Sequence, residues 1–314
     1  KSRYSKSVPP MLLEYTKHMD NASVSILLGL SKSTVYRMDL AELGKLSEEY
    51  ESKVPQLSSI CVDEIAHRSG HNYATVITNQ DDGKIVWLEP ERTTDSLLSA
   101  YRKHPKSYET LSVATMDFWK PFEFATNSLY PDCKIIYDRF HLSRLINRTI
   151  EEERREYQKE LQKDERKYIK KHTRWVLLRR LANCNEKQID RLDELRTTNE
   201  HLYNLYLLKE DFLSIFDEEL ISRESAKEYI QNWASKVLTT GYNKLIRFAK
   251  NLLERIDKIL DWFDYRITNA KAEGVNNVIK TLLKRGYGYK NFNYFRLKVL
   301  QKCGYLMQGC THTF

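Results

Sequence analysis

The sequence has few cysteines and no CxxC pair. Its five cysteines are scattered along the chain, at Cys61, Cys133, Cys184, Cys303 and Cys310. An odd, scattered set argues against a disulfide framework and a zinc cage, and favours reduced thiols. No apolar run approaches the roughly 18 residues of a membrane span, and no secretory signal is visible. We therefore expect a cytoplasmic protein rather than a membrane or disulfide-stapled secreted one.

Length and composition indicate a soluble globular protein. A chain of 314 residues with 41% hydrophobic and 30% charged residues is too apolar for a disordered chain. It is long enough for one large domain or two smaller ones. Because the chain begins at Lys1 rather than Met, we expect that an N-terminal segment is missing.

Positive charge is concentrated near the C-terminus. The net charge is +8, and residues 266–302 alone hold nine Lys or Arg against one acid, Glu273. The net charge of the remaining residues is therefore zero. A basic region on a neutral body favours a polyanionic partner, most simply nucleic acid. A solvated charged face is the structural alternative.

Residues 8–43 have a helical pattern, centred on NASVSILLGLSKSTVYRMDLAEL. Gly29 marks a turn and Ser31 a helix cap, so the pattern predicts two short helices joined by a glycine-containing turn. This is the helix-turn-helix pattern, whose second helix enters the major groove of DNA. Ordinary helical proteins contain such pairs as well. We assign residues 1–45 to this segment and residues 46–56 to a polar linker.

The hydrophobic period changes after the linker. Three strand-like runs come first, SSICVDEIA, NYATVITNQ and KIVWLEPE, with a hairpin turn at residues 81–83. Helical TDSLLSAYRKH, strand-like LSVATMD, helical PFEFATNSLY and strand-like CKIIYDRF follow. The predicted order is β-β-β-α-β-α-β, with three antiparallel strands and two more added through helical crossovers. That is the order of a ribonuclease-H-like mixed α/β fold. We assign it to residues 57–141, followed by a helical zone at 142–262 and a closing helix with a basic segment at 263–314.

Two acids are expected to share one edge of this sheet. Asp63 lies in the first strand, and Asp117 ends the fourth, which neighbours the first in this topology. Two clustered carboxylates repel each other unless a cation lies between them. Oxygen ligands of this kind favour Mg²⁺ or Mn²⁺.

Glu273 is the candidate for a third acid. If a helix begins near residue 269, Glu273, Asn277, Lys280 and Lys284 lie along one polar face. Its opposite, buried side consists of Val275, Val278, Ile279 and Leu282. A metal-bound carboxylate beside phosphate-binding cations suits two-metal phosphoryl transfer. An acid in the first turn of a helix also interacts favourably with the helix dipole, and this structural role accounts for Glu273 equally well.

Four sequence blocks resemble, in order, the conserved blocks of bacterial insertion-sequence transposases of the ISL-three family. They are VDEIAHRSGHNYATVI, ATMDFWKPF, CKIIYDRFHLSRLIN and AEGVNNVIKTLLKRGYGYKNFNYFR, and the likeness covers roughly residues 8–302. This family belongs to the DDE superfamily, whose catalytic core is ribonuclease-H-like. The resemblance also implies that the helical zone is an insertion ahead of the closing helix. Family members usually carry a zinc-finger-like segment before the helix-turn-helix, and this sequence has no such cysteine cluster.

The resemblance implies roles for five residues. Asp63 and Asp117 match the first and second catalytic aspartates and Glu273 the closing glutamate, which together would hold two Mg²⁺ or Mn²⁺ ions. Asp138 and His141 match a D/C-x-x-H element that supports the site or the DNA strands. A direct metal-ligand role for Asp138 and a purely structural role for His141 remain open.

The implied activity is cleavage at transposon ends and strand transfer into target DNA in the bacterial cytoplasm, at the nucleoid. The partners would be double-stranded DNA, as terminal inverted repeats and as target, and further copies of the chain in a homodimer or higher oligomer. DNA-binding side chains are expected on the helix-turn-helix at Lys32, Ser33, Thr34, Tyr36 and Arg37, and on the closing segment at Asn277, Lys280, Lys284, Arg285 and Lys290. Tyr287, Tyr289 and Phe292 either stack on a displaced base or pack against the helix.

Two other functions remain open at this point. A nuclease or junction resolvase of the same fold would use the same acids without joining strands. A domesticated DNA-binding regulator would keep the helix-turn-helix and lose an acid, and the presence of all three acids argues against it.

Overall fold

The computed structural model describes residues 5, 7–70, 72–218, 221–267 and 270–307. The chain divides into two compact units, residues 1–135 with 268–314, and residues 136–267. Within the described ranges no helix combines the length and the apolar character needed to cross a bilayer. Four cysteines are free thiols, as expected, and Cys310 lies outside the described residues.

Residues 59–137 form a five-stranded mixed sheet, and the boundary between the two units falls within its last strand. Its strands are β1 (Ser59–Arg68), β2 (Asn72–Asn79), β3 (Ile85–Pro90), β4 (Val113–Met116) and β5 (Lys134–Tyr137), in the spatial order β3-β2-β1-β4-β5. β1 and β3 each pair antiparallel with β2, whereas β4 pairs parallel with β1. The predicted mixed α/β class is thus confirmed, and β4 lies beside β1 as expected.

Helical crossovers add the last two strands, because parallel neighbours cannot be joined by a hairpin. α5 (Thr94–Lys103) and a 3₁₀ turn (Pro105–Tyr108) connect β3 to β4, and α6 (Lys120–Leu129) connects β4 to β5. The hairpin between β2 and β3 turns at Gly83, whose φ of 75° favours glycine. The buried side chains of β1 include Val62 and Ile65, which lie at 0% and 3% exposure.

The N-terminal part of the described chain contains α1 (Val8–His18), α2 (Asn21–Leu28) and α3 (Lys32–Glu48). They pack around the fully buried side chains of Leu12, Val24 and Val35. Gly29 ends α2 in the left-handed region at φ 63°, and Ser31 caps α3 by accepting a hydrogen bond from the Thr34 amide. The helix pair and its glycine turn are therefore where the pattern predicted them.

Residues 46–56, expected to be a polar linker, contain more structure than that. They begin inside α3 and continue through the short α4 (Tyr50–Lys53). The Tyr50 ring is buried, and its hydroxyl donates to the carbonyl of Ile85 at 3.1 Å. Tyr50 and Val54 in this segment, and Leu57 directly after it, bury their side chains. The segment therefore packs on the sheet although most of its other residues are polar.

The second unit is helical and contains the zone predicted at 142–262. Its helices are α7 (Arg139–Glu160), α8 (Lys163–His172), α9 (Arg174–Leu178), α10 (Glu186–Thr198), α11 (Glu200–Ser214), α12 (Arg223–Leu238), α13 (Asn243–Leu253) and α14 (Ile256–Tyr265), with a 3₁₀ turn at Leu181–Asn183. Phe212, Trp233 and Phe248 form an aromatic cluster, with ring centroids 4.8 to 6.0 Å apart. Buried Glu153 accepts hydrogen bonds from the amides of Lys244 and Leu245 and so satisfies the start of α13.

Two helices return the chain to the first unit: α15 (Ala270–Arg285) and α16 (Phe292–Cys303). α16 carries a buried lysine, Lys298, whose Nζ lies 3.0 Å from a carboxylate oxygen of the fully buried Asp39 on α3. Thr16 and Tyr294 both donate hydroxyl hydrogen bonds of 2.6 Å to the same carboxylate. Burial lowers the pKa of Lys298, and the Asp39 charge opposes that shift. This ion pair holds α1 and α3 to α16.

Lys298→Met should destabilise the protein strongly, because it leaves the Asp39 carboxylate buried without its cation. We expect the free energy of unfolding in urea to fall by about 3–5 kcal/mol. The double variant Asp39→Asn with Lys298→Met should recover most of that loss. Lys45→Met, at an exposed lysine on α3, is the control and should change stability by less than about 0.5 kcal/mol. A single variant as stable as wild type would refute a structural role for the pair.

Candidate active site

Asp63 and Asp117 lie together at the junction of β1 and β4. The parallel register pairs Val62 with Met116. Asp63 follows Val62 and Asp117 follows Met116, so the two acids come directly after a paired position. Their carboxylate oxygens are within 4.8 Å of one another, and both residues are half-buried. The structure therefore brings together the two acids that the sequence assigned to one sheet edge.

This pair has the chemistry of a divalent cation site. Two carboxylates at this separation repel each other when both are ionised, and a cation between them removes that repulsion. Hard oxygen donors are the ligands that Mg²⁺ and Mn²⁺ prefer. The donor set of Asp63 and Asp117 therefore fits the predicted metal.

Asp63 is held in one orientation by two hydrogen bonds. Its Oδ1 accepts from the backbone amide of Glu64 at 2.7 Å, and its Oδ2 accepts from Nδ2 of Asn276 on α15. The Asn276 side chain is 9% exposed. Lys271, at the start of the same helix, donates to the carbonyls of Gln80 and Asp81 at 3.2 and 2.6 Å. α15 is thus fixed against the edge of the sheet that carries Asp63.

Asn276 was not among the residues singled out from the sequence, which favoured Asn277. The buried stripe of α15 consists of Ala272, Asn276, Ile279 and Leu282, at helical spacing, whereas Val275 and Val278, which were also expected there, are half-buried. A single amide within an otherwise apolar stripe is the signal that could have identified it, because a buried amide needs a polar partner. Asn277 is exposed.

Glu273 lies one turn before Asn276 and is exposed. Among the described residues its carboxylate does not join the pair formed by Asp63 and Asp117. The pattern correctly placed it near the start of a helix, since α15 begins at Ala270. Its role as third ligand stays a prediction.

An arginine fixes the loop that follows Asp117. Arg92 donates to both carboxylate oxygens of Glu64 at 2.8 and 2.9 Å, and this bond raises the pKa of Arg92. Its guanidinium lies over the rings of Tyr73 and Trp119, 4.3 and 4.7 Å from their centroids. The Trp119 indole donates to the Arg92 carbonyl at 3.0 Å, and the Trp119 amide donates to the Asp117 carbonyl at 2.6 Å. Glu64, next to Asp63 in the strand, is therefore engaged in an ion pair with Arg92.

Asp138 and His141 lie at the start of α7, in the second unit. Asp138 is the N-cap of α7, accepting from the Phe140 amide at 3.2 Å, and is 6% exposed. His141 Nε2 lies 3.5 Å from the Asp138 carboxylate. Helix capping gives Asp138 a structural role.

The predicted DNA-binding residues lie on two surfaces of the first unit. At the start of α3, Lys32, Ser33 and Arg37 are exposed, whereas Thr34 and Tyr36 are half-buried. On α15 and in the loop after it, all five predicted side chains are exposed: Asn277, Lys280, Lys284, Arg285 and Lys290. Their availability to solvent is what phosphate contacts require.

Comparison with known proteins finds relatives among transposases. The transposase model of the ISL-three family matches residues 60–299, more than half of the chain. A transposase for insertion sequence element IS1001 of Bordetella parapertussis is 28% identical over 282 residues, 88% of this chain and 68% of the relative. A transposase for insertion sequence element IS1557 of Mycobacterium tuberculosis is 21% identical over 273 residues, 78% of this chain and 60% of the relative. The chain thus spans about two thirds of the length of these relatives.

Among solved structures, the Drosophila P element transposase strand transfer complex is similar at a TM-score of 0.41 and 10% identity. The similarity covers 99% of this chain and 93% of that one. A likeness of this degree is too weak to support an argument.

Asn276→Ala should weaken cation binding, because Asp63 loses the donor that orients it. We expect the Mn²⁺ dissociation constant, measured by titration calorimetry, to rise about 10- to 100-fold, as it does when outer-shell partners of metal ligands are removed. Thr281→Ala, at an exposed position of the same helix, is the matched control and should bind Mn²⁺ like wild type. Unchanged affinity in Asn276→Ala would show that the hydrogen bond does not serve the acids.

Proposed function

The chain belongs to the ISL-three family of transposases, and from that premise we propose that it cleaves DNA at transposon ends and joins them to target DNA with Mg²⁺ or Mn²⁺. The observation that carries this proposal is the pair of carboxylates, Asp63 and Asp117, with oxygens within 4.8 Å of each other. The proposed fold of the first unit is ribonuclease-H-like, supported by the strand order β3-β2-β1-β4-β5.

Glu273 is the proposed third acid. It precedes Asn276 by three residues, and residues three apart are neighbours on one helix surface. Asn276 contacts Asp63, and this supports a position near the acids for its helical neighbour Glu273. The rise between the two positions is about 4.5 Å at 1.5 Å per residue, a distance that a glutamate side chain can largely cover.

Asp63, Asp117 and Glu273 would hold two cations. When bound, these cations supply Lewis-acid polarisation of the phosphodiester and stabilise negative charge on its oxygens. Asn276 orients the Asp63 carboxylate, and Arg92 holds the loop after Asp117. The side chains therefore keep the acids in place before DNA arrives, which spares reorganisation during the reaction.

The reaction has two in-line displacements. Water attacks a phosphodiester at the transposon end, the P–O3′ bond breaks, and the released 3′ oxygen takes a proton to become a hydroxyl. That 3′-hydroxyl then loses its proton and attacks a target phosphodiester, whose own 3′ oxygen leaves. Lys280, Lys284 and Arg285 would hold the phosphates in line, supported by their exposure along α15.

Asp138 and His141 are proposed as supporting residues. They follow β5, and β5 neighbours β4, which ends just before Asp117. The carboxyl ends of neighbouring strands are where functional groups collect in such sheets. Residues 142–262 are then the helical insertion of the catalytic core, and residues 263–314 its closing segment.

The DNA partners follow from the two basic surfaces. α2 and α3, within residues 1–45, are proposed as a helix-turn-helix that reads terminal repeats, since the side chains at the start of α3 are exposed. Residues 46–56 would connect it to the core at 57–141. Because two transposon ends must be held together, the working form is proposed to be a dimer or higher oligomer at the bacterial nucleoid.

Glu273→Gln should abolish cleavage and joining of labelled terminal-repeat DNA with Mg²⁺, while DNA binding is retained. The amide keeps the size of the side chain and removes its charge, so we expect a loss of at least about 100-fold. Glu224→Gln is the matched control, because Glu224 is an exposed acid in the first turn of α12. This substitution should leave cleavage and joining unchanged.

Three outcomes would contradict parts of the proposal. An active Glu273→Gln variant would make Glu273 a helix-start acid only. Cleaved but unjoined products from the wild type would indicate a nuclease or resolvase. Binding with no cleavage would indicate a DNA-binding regulator.

A further inference from the structure

A groove of about 530 Å³ opens within the first unit. One wall is the turn between α1 and α2 with the start of α3, and the other is the end of α15 with the loop of residues 286–291. We call it the basic groove. It joins two surfaces that the sequence suggested separately, because Lys32 and Tyr36 line it together with Arg285 and Lys290.

The basic groove has an excess of positive charge. Lys17, Lys32, Arg285 and Lys290 line it. Its acid, Asp20, is engaged as the N-cap of α2. It accepts from the Ser23 hydroxyl and from the amides of Ser23 and Ala22, and these bonds, the hydroxyl bond foremost, lower its pKa. Lys298 also reaches the groove, but its charge is matched by buried Asp39. An anionic ligand therefore suits the groove.

The three aromatic residues of the loop behave differently. Tyr289 and Phe292 pack against Phe295, with ring centroids 5.3 and 5.8 Å apart, and burial raises the pKa of Tyr289 to about 12. Tyr287 is 100% exposed. Its backbone lies in the left-handed region at φ 49°, which costs energy for a residue other than glycine. Packing therefore accounts for the positions of the Tyr289 and Phe292 rings, but not for the full exposure of Tyr287.

The exposed ring is presented by an ordered turn. The amides of Tyr287 and Gly288 donate to the carbonyls of Lys284 and Leu283 at 3.2 and 2.9 Å. A Cβ at Gly286 would lie 2.9 Å from the Tyr289 ring, so a larger residue there would have to displace that ring. An aromatic face held out beside cations is the arrangement that binds unpaired bases by stacking.

The groove is connected to the strand that carries Asp63. Arg68, at the end of β1, donates to the carbonyls of Tyr289 and Lys290. Along α15, Arg285 lies nine residues beyond Asn276, or about 14 Å at 1.5 Å per residue. That length corresponds to roughly four nucleotides of a stacked strand at 3.4 Å each. One strand can therefore run from the acids to the groove.

We propose that the basic groove binds an unpaired nucleotide of the DNA strand that passes the acids, with its base stacked on Tyr287 and its phosphates on Arg285, Lys32 and Lys290. A duplex is too wide for a cavity of this size, whereas a single nucleotide suits the range of small-ligand pockets. This inference rests on the proposed function, since it assigns a subsite to the same DNA substrate.

The test compares Tyr287→Ala, Tyr287→Trp and wild type by fluorescence anisotropy. The probes are a five-nucleotide oligothymidylate, a duplex with a single-stranded tail, and the same duplex with a blunt end. Loss of one stacked base predicts roughly ten-fold weaker binding of Tyr287→Ala to the first two probes. Blunt-duplex affinity should be unchanged, and Tyr287→Trp should bind like wild type or tighter. Tyr265→Ala, at an exposed tyrosine of α14, is the matched control.

Two other outcomes of the binding test would contradict the inference. Equal loss on blunt and tailed duplexes would make Tyr287 an ordinary duplex contact, and no loss on any probe would leave the ring without a role in DNA binding. Either result overturns the inference. Strand cleavage and joining by wild type are measured separately, so failure of this subsite is distinguishable from failure of the proposed function.

Discussion

A hydrogen bond between side chains 213 residues apart in sequence, from Asn276 to Asp63, joins the closing helix to the first strand. Without it, the acid on β1 and the helix α15 would be unrelated features of the chain. With it, α15 is held beside the edge of the sheet where Asp63 and Asp117 meet. Lys271 reinforces the contact by bonding carbonyls at the β2–β3 turn. The amide must be buried to reach Asp63, which explains why a polar residue interrupts the apolar stripe of α15.

The N-terminal helices depend on a second buried contact. The Asp39 carboxylate accepts from Thr16, Tyr294 and Lys298, so α1, α3 and α16 share one polar centre. Such a centre adds little net stability relative to apolar packing, but removing one partner is costly. This polar centre holds the helix pair beside the loop after α15, and the basic groove lies between the helix pair and that loop.

The two basic surfaces thus form one continuous region of the first unit. Lys32 and Arg285 are more than 250 positions apart in the sequence and line the same cavity. Within this region the described cations differ in availability, because Lys298 is buried and paired whereas Arg285 and Lys290 are exposed. Charge counting along the chain could not make that distinction.

Local features of the fold can be predicted from the sequence alone. Period and turn residues predicted the helix pair about Gly29 and the order of strands and helices, because these depend on short-range geometry. The neighbouring positions of Asp63 and Asp117 followed from the topology that this order of elements implies. The three-dimensional structure was needed to show that Asn276 rather than Asn277 faces Asp63, that residues 50–53 form a packed helix, and that Tyr287 is exposed while Tyr289 and Phe292 are not. These outcomes depend on which surface lies opposite each side chain, and that is fixed by contacts between segments far apart in the chain.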